Sequence, residues 1–203
     1  MYLGGAISQS GSCTEDVQHR IGKALGAFQA LNKIWESKDI RCATKIELYK
    51  VMILSILLYG AETWTLKKTD ESKLHTFEMN CLRKILGVTR RDRTRNVDVR
   101  ERLGIEETVN NRIATKRMHY FGHINRMQQS RLPAVLLHGH IQGNRPRGRP
   151  MKRWIEGIKA DITAREVHSL THAIHMTADR NLWRKTVSRA PSLIQPDGAE
   201  GRK

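Results

Sequence analysis

The strongest chemical signal in the sequence is a run of arginines framed by prolines. The run reads RPRGRPMKR and supplies the candidate binding residues Arg145, Arg147, Gly148, Arg149, Lys152 and Arg153. Prolines favour an extended backbone, and the glycine allows that backbone to approach a surface closely. Arginines on such a backbone suit the narrow minor groove of A·T-rich DNA, where the potential is most negative. The run therefore predicts contact with nucleic acid.

The same run resembles an AT-hook, a short minor-groove-binding peptide built on a Gly-Arg-Pro core. The resemblance implies an A·T-selective, AT-hook-like DNA-binding protein. Two other interpretations stay open from the sequence. One is a basic linker that contacts phosphates without sequence preference, and the other is a patch that directs nuclear import.

A second basic cluster follows a predicted helix and consists of Arg90, Arg91, Arg93 and Arg95. A loop that contacts phosphates is one interpretation of it. The alternative is a solvated loop whose charge is partly neutralised by Asp92 and Asp98.

The remaining residues give little support for a metal site or for catalysis. His168, His172 and His175 have i, i+4, i+7 spacing on a predicted helix, which could present three imidazoles to zinc. Neither a cysteine nor a carboxylate joins them at ligand spacing, so we predict no metal and no cofactor. Nucleophile-elbow, phosphate-loop and zinc-protease motifs are missing from the sequence, as are adjacent aspartates. We therefore predict no catalytic residue and no small-molecule substrate.

Charge divides unevenly along the 203 residues. The chain has 36 Lys and Arg against 20 Asp and Glu, a net charge of +16. Residues 1–89 carry a net +3, whereas residues 90–203 carry a net +13 with 19 arginines among 24 cations. Such an excess indicates a polyanionic partner, and arginine suits phosphates and base edges. We predict nucleic acid, RNA or DNA, rather than a membrane as that partner.

Composition excludes other classes of protein. Three cysteines are too few for a disulfide framework, and the longest apolar run, residues 51–59, falls short of the about 20 residues that a membrane helix needs. The first residues lack the basic and apolar regions of a signal peptide. We expect an intracellular protein, located in the nucleus.

Apolar periodicity predicts a mainly α fold. The predicted helices span residues 14–37, 44–65, 70–86, 96–103, 108–129, 151–162 and 166–189, the last one broken near Thr177. The second helix is apolar on most sides and is predicted to lie at the centre of the core. The four tryptophans are also predicted to pack in the core, whereas residues 132–137 fit a helical turn or a strand equally well.

Six short strings occur along the chain in a fixed order: YLGG (2–5), LLYGAETW (57–64), CLRKILG (81–87), RMHYFGHINRM (117–127), GRPMKRW (148–154) and ADRNLWR (178–184). Together they resemble the C-terminal, thumb and post-thumb part of the reverse transcriptase of non-LTR (LINE-like) retrotransposons. The resemblance covers nearly all of residues 2–187 and rests on the ordered set rather than on one string.

Together with the charge division, this resemblance implies a thumb-like helical bundle at residues 1–89. A basic, mostly helical post-thumb region with an extended Arg/Pro/Gly loop follows at 90–190, with a disordered tail at 191–203. The catalytic aspartates of the family lie upstream of the YLGG string. The resemblance therefore implies a fragment that binds primer–template or target DNA and is no enzyme on its own. An inert relic of a decayed retroelement is the alternative, and the oligomeric state is left open.

Overall fold

The computed structural model describes residues 11–139 and 151–189, together with Gly5 and Gly148. These residues form a mainly α fold, as predicted. The α-helices are α1 Thr14–Ala30, α2 Asn32–Glu36, α3 Cys42–Leu48, α4 Leu54–Leu57, α5 Lys68–Leu86, α6 Asn96–Arg102, α7 Val109–Asn125, α8 Leu132–His138, α9 Trp154–Thr163, α10 Leu170–Thr177 and α11 Arg180–Val187. A π-helical segment, Tyr49–Ile53, joins α3 to α4.

The chain divides into two compact units, Met1–Ile113 and Ala114–Lys203. The boundary predicted near residue 90 lies inside the first unit, where Arg100 of α6 binds Glu78 of α5. The assignment of residues 1–89, 90–190 and 191–203 as domains stays a prediction. The tail at 191–203 lies outside the described residues, and so does the Arg/Pro/Gly loop apart from Gly148.

The helix at the centre of the first unit is the one formed by α3, the π-helical segment and α4. Ile53 and Leu57 on this helix are fully buried, which agrees with the predicted central helix. The expectation that it is buried on most sides is wrong, because Val51 and Met52 are 68% and 42% exposed. The apolar run at residues 51–59 therefore has side chains exposed to solvent as well as buried ones. The helix ends at Leu57 rather than near residue 65, since Gly60 takes up a left-handed conformation with φ 72°.

Tryptophans anchor both cores, as predicted from their apolar neighbours. Trp35 and Trp64 in the first unit and Trp183 in the second are almost fully buried, whereas Trp154 is half-buried. Each of the three buried indole N–H groups has an acceptor, as a buried donor requires. The acceptors are the carbonyl of Phe28 at 2.7 Å, the carboxylate of Asp16 at 2.8 Å and the carbonyl of Met118 at 3.1 Å.

The core of the second unit joins α7, α9, α10 and α11. Its buried apolar residues include Met118, Phe121, Ile158, Ile162, Ala173, Trp183 and Val187. Arg117 of α7 and Asp161 of α9 form a buried, two-pronged ion pair. The Nε–H of Arg117 donates to Oδ2 at 2.7 Å, and Nη2 donates to Oδ1 at 2.9 Å.

A second buried arginine completes the polar part of this core. Arg165 donates to the carbonyl of Val187 at 3.1 Å and to the hydroxyl of Thr115 at 3.0 Å. Its other terminal nitrogen donates to the carbonyl of Asp161 at 3.3 Å. Arg165 therefore ties α7, α9 and the end of α11 together.

Residues 132–138, most of which fit a helical turn or a strand equally well by sequence, form α8 with Pro133 in its first turn. Leu132, Val135 and Leu136 on this helix are exposed. Within the described ranges, no helix combines the length and apolar character that crossing a membrane requires.

We expect the substitution Leu57→Asp to unfold the first unit. Leu57 is fully buried, and an unpaired buried charge costs several kcal/mol, which is comparable with a typical total stability of about 5–15 kcal/mol. Thermal melting followed by far-UV circular dichroism checks this. The matched control is Val51→Asp, since Val51 lies on the same helix and is 68% exposed. Equal melting of both variants and the wild type would contradict the placement of this helix.

Candidate nucleic-acid interface

The cluster Arg90, Arg91, Arg93 and Arg95 lies on a short 3₁₀ turn and the segment that follows α5. α5 ends at Leu86, and Gly87 follows it with a left-handed backbone, φ 75°. The N–H of Val88 then donates to the carbonyl of Arg83. Asp92 closes the next turn, because its carboxylate accepts the N–H of Thr89 at 2.6 Å and the hydroxyl of Thr89 at 3.0 Å. These two hydrogen bonds hold the pKa of Asp92 below its ordinary value.

All four arginines of this cluster are exposed. Arg90 donates to the side-chain oxygen of Asn80 at 3.1 Å, which directs it along α5. Arg91, Arg93 and Arg95 form no ion pair with any residue that the structure describes. Asp92 is bonded to Thr89 instead. Asp92, one of the two acids that could have neutralised the loop, therefore shapes the turn instead, and three guanidinium groups stay available to an external anion.

Contacts with α5 also fix the segment, both within the arginine cluster and beyond it. Arg83 donates to the carbonyl of Thr94 at 2.8 Å. Further along, the buried carboxylate of Glu78 binds Arg100 and also accepts the N–H of Val109 at 3.0 Å, at the start of α7. Burial raises the pKa of Glu78, while Arg100 and the Val109 N–H oppose that rise. The loop is thus held at both ends by hydrogen bonds to one helix.

The arginine–proline run is described only in part. Arg145, Arg147 and Arg149 lie outside the described residues. Gly148 is exposed with φ 114°, and Lys152 and Arg153 are exposed just before α9. The role predicted for this run stays a prediction.

The three histidines considered for metal do not share a helix. α10 begins at Leu170, where Ser169 caps it by accepting the N–H of His172 at 3.1 Å. His168 therefore precedes the helix, and the expected i, i+4, i+7 arrangement is wrong. His168, His172 and His175 are exposed, and no group of three metal-binding side chains occurs in the described part of the chain.

One basic surface was missed by sequence reasoning. It consists of four residues. His119 lies on α7 and Arg126 lies just beyond the end of α7, whereas Arg180 and Arg184 lie on α11. The spacing within each helix is visible in the sequence, but the two segments lie far apart along the chain. The signal that could have joined them is Gly122, which lies against Trp183.

Comparison with known proteins points to mobile genetic elements. A protein of Caenorhabditis elegans described as an uncharacterized transposon-derived protein is 23% identical over 199 residues. The similarity covers 93% of this chain and 70% of that relative. No model of a protein family and no solved structure matches the chain. The chain is therefore similar to a transposon-derived protein over nearly its whole length.

We expect Gly122→Ala to loosen the packing between α7 and α11. A methyl carbon on Gly122 would lie 2.5 Å from Cδ1 of Trp183 and closer still to Nε1. Overpacking of this kind costs about 1–3 kcal/mol. Urea unfolding monitored by tryptophan fluorescence measures the decrease in stability.

The matched control is Gly26→Ala, which lies within α1 with open space around the added methyl group. Because alanine favours helix over glycine by about 1 kcal/mol, this variant should be slightly more stable than the wild type. A Gly122→Ala protein as stable as the control would contradict the close contact with Trp183.

Proposed function

We propose that this chain is a non-catalytic, nucleic-acid-binding part of a retroelement RNA-directed DNA polymerase. It would contact primer–template or target DNA mainly through backbone phosphates. The ordered strings that resemble the thumb and post-thumb part of LINE-like reverse transcriptases support the family, and the similarity to a transposon-derived protein supports an origin in a mobile element. The proposal assigns no catalytic role to any residue of this chain.

The observation that carries the binding role is the exposed arginine segment after α5. Arg91, Arg93 and Arg95 are exposed on a segment whose ends are hydrogen-bonded to α5, and the part of the chain that the structure describes offers them no ion-pair partner. Phosphates suit such an array, because guanidinium groups bind phosphate oxygens in a forked geometry. Phosphates are common to RNA and DNA, so this array favours neither.

The test is a titration of the full chain with a duplex of about 20 base pairs over a series of salt concentrations. We expect log K to fall linearly with log salt, with a slope of about −0.9 for each duplex phosphate neutralised. The triple variant Arg91→Gln/Arg93→Gln/Arg95→Gln should have a slope that is shallower by about 0.9 for each phosphate that these arginines neutralise in the wild type.

The matched control removes three exposed lysines elsewhere in the first unit, Lys23→Gln/Lys33→Gln/Lys38→Gln, and so lowers the net charge equally. If the two triple variants were weakened to the same extent, net charge rather than this segment would govern binding. A wild-type affinity that does not depend on salt would contradict the proposed function itself.

A second candidate function is sequence-selective binding in the minor groove through the arginine–proline run. The observation that favours it is the backbone of Gly148, which is exposed with φ 114°, and a methyl group added there would meet no described atom within 4 Å. A glycine of this kind allows the chain to lie close to the floor of a groove.

Competition between A·T and G·C duplexes of equal length decides this second candidate. Minor-groove readout distinguishes mainly A·T from G·C pairs, so A·T duplex should compete more strongly, and Arg149→Ala should abolish the difference. Lys159→Ala, an exposed cation on α9, is the control and should leave the preference intact. Equal competition by both duplexes would remove the candidate.

A further inference from the structure

The contact between Gly122 and Trp183 brings the basic side chains of two helices side by side. The indole of Trp183 lies directly on the backbone of Gly122 and donates to the carbonyl of Met118 at 3.1 Å. His119 and His123 are spaced i, i+4 on α7 and so share a side of it, and Arg126 lies just beyond the end of this helix. Arg180 and Arg184 share a side of α11, because they too are spaced i, i+4.

The arginines of the two helices also act electrostatically on His119 and Arg126. His119 is repelled by Arg184, Arg165 and Arg126, and Arg126 is repelled by Arg180. Together with partial desolvation, which is the larger cause, this repulsion lowers the pKa of both groups. These side chains therefore form a concentrated positive charge, and no ion pair among the described residues neutralises it.

Arg126 is held in place while part of its guanidinium lacks a partner. Its Nη1 donates to the carbonyl of Thr177 at 2.7 Å, at the end of α10. Its Nε is buried and has no hydrogen-bond partner among the described residues. Neither Arg126 nor Arg180 nor Arg184 forms an ion pair within that same part of the chain.

The acid nearest to this face along the chain is Asp179, which already has another role. Its Oδ1 accepts the N–H of Asn181 at 2.8 Å and that of Leu182 at 3.1 Å, and so caps α11. Within the described ranges it forms no ion pair with the arginines next to it. Arg180 and Arg184 are therefore available to an external anion.

We infer that His119, Arg126, Arg180 and Arg184 form a second phosphate-binding surface, on the second unit, that holds the backbone of a nucleic acid. The inference rests on the proposed function and adds a site to it that lies apart in sequence from both arginine runs. His119 makes binding at this surface depend on pH.

Nucleic acid suits this surface better than an anionic membrane. Its members are three guanidinium groups and one imidazole, which suit the phosphodiester groups of nucleic acids and of lipids alike, so the spacing of the arginines carries the choice. Two arginines one helical turn apart on α11 also suit successive phosphates along a strand. Anionic vesicles serve as the competing ligand in the test.

The first experiment compares two double variants of the full chain, titrated with the same duplex at several salt concentrations. Arg180→Gln/Arg184→Gln should make the slope of log K against log salt shallower by about 0.9 for each phosphate that the pair neutralises in the wild type. Lys185→Gln/Arg189→Gln removes two exposed cations from the same part of the chain but outside the proposed surface, and should keep the wild-type slope. Near-UV circular dichroism of the tryptophans, Trp183 among them, verifies that both variants are folded.

The second experiment follows binding against pH. A bound phosphate offsets the arginines around His119 and so raises the pKa of its ring, which means that binding takes up a proton. Affinity should therefore rise as pH falls from about 8 towards about 5.5, by at most about tenfold per pH unit for one proton. His119→Gln should reduce this dependence, whereas His175→Gln, exposed on α10, should not.

The outcomes separate this inference from the proposed function. If the α11 double variant bound like its control, or if His119→Gln kept the full pH dependence, the second surface would be refuted. A shallower slope for the Arg91, Arg93 and Arg95 variant would then still support the proposed function. The inference would also be overturned if vesicles of phosphatidylserine and phosphatidylcholine competed for the chain as strongly as free duplex does. A wild-type affinity that does not depend on salt would refute both the inference and the proposed function.

Discussion

The second unit depends on the buried pair between Arg117 and Asp161. Two charged hydrogen bonds join α7 to α9 inside an apolar core, and the guanidinium can lie there only because Gly157 has no side chain: an added methyl carbon would lie 2.9 Å from Cζ of Arg117. Removing one partner from such a pair costs about 3–5 kcal/mol, because the other charge stays buried without compensation. Arg165 extends the same network to the end of α11, so this polar contact and apolar packing together position the helix that carries Arg180 and Arg184.

This network changes the meaning of the positive charge after residue 89. Arg117 and Arg165 are buried and bonded within the protein, and Arg100 binds Glu78, so these arginines serve the fold. Other arginines of this region are grouped rather than evenly distributed, with one group after α5 and a second that consists of Arg126, Arg180 and Arg184. The net charge of +13 in residues 90–203 already balances Arg117 against Asp161, but it includes Arg165 and Arg100, which a partner would not contact. The grouping of the other arginines raises the density of charge at a few places.

The sequence predicted the helices well because their apolar stripes have a clear period of about 3.6 residues. It located their ends less well, since ends depend on local hydrogen bonds: α1 stops at Ala30, and α10 starts only after Ser169. The exposed arginines after α5 were predicted as a candidate site because they are close together in sequence. The basic surface of His119, Arg126, Arg180 and Arg184 was not predicted, because its two segments are brought together by the contact between Gly122 and Trp183. The apolar periodicity of the sequence does not indicate that contact. A count of charges along the sequence also cannot distinguish a buried arginine from an exposed one.

The placement of the tryptophans has a spectroscopic consequence. The four residues divide evenly, with Trp35 and Trp64 in the first unit and Trp154 and Trp183 in the second. Three indoles are buried and hydrogen-bonded, each to a different acceptor, so their emission reports on the order of their own surroundings. Replacing the pair in one unit by phenylalanine would leave a chain whose tryptophan fluorescence follows the other unit alone. The two units thus contain their own optical probes, and their unfolding can be followed separately without an added dye.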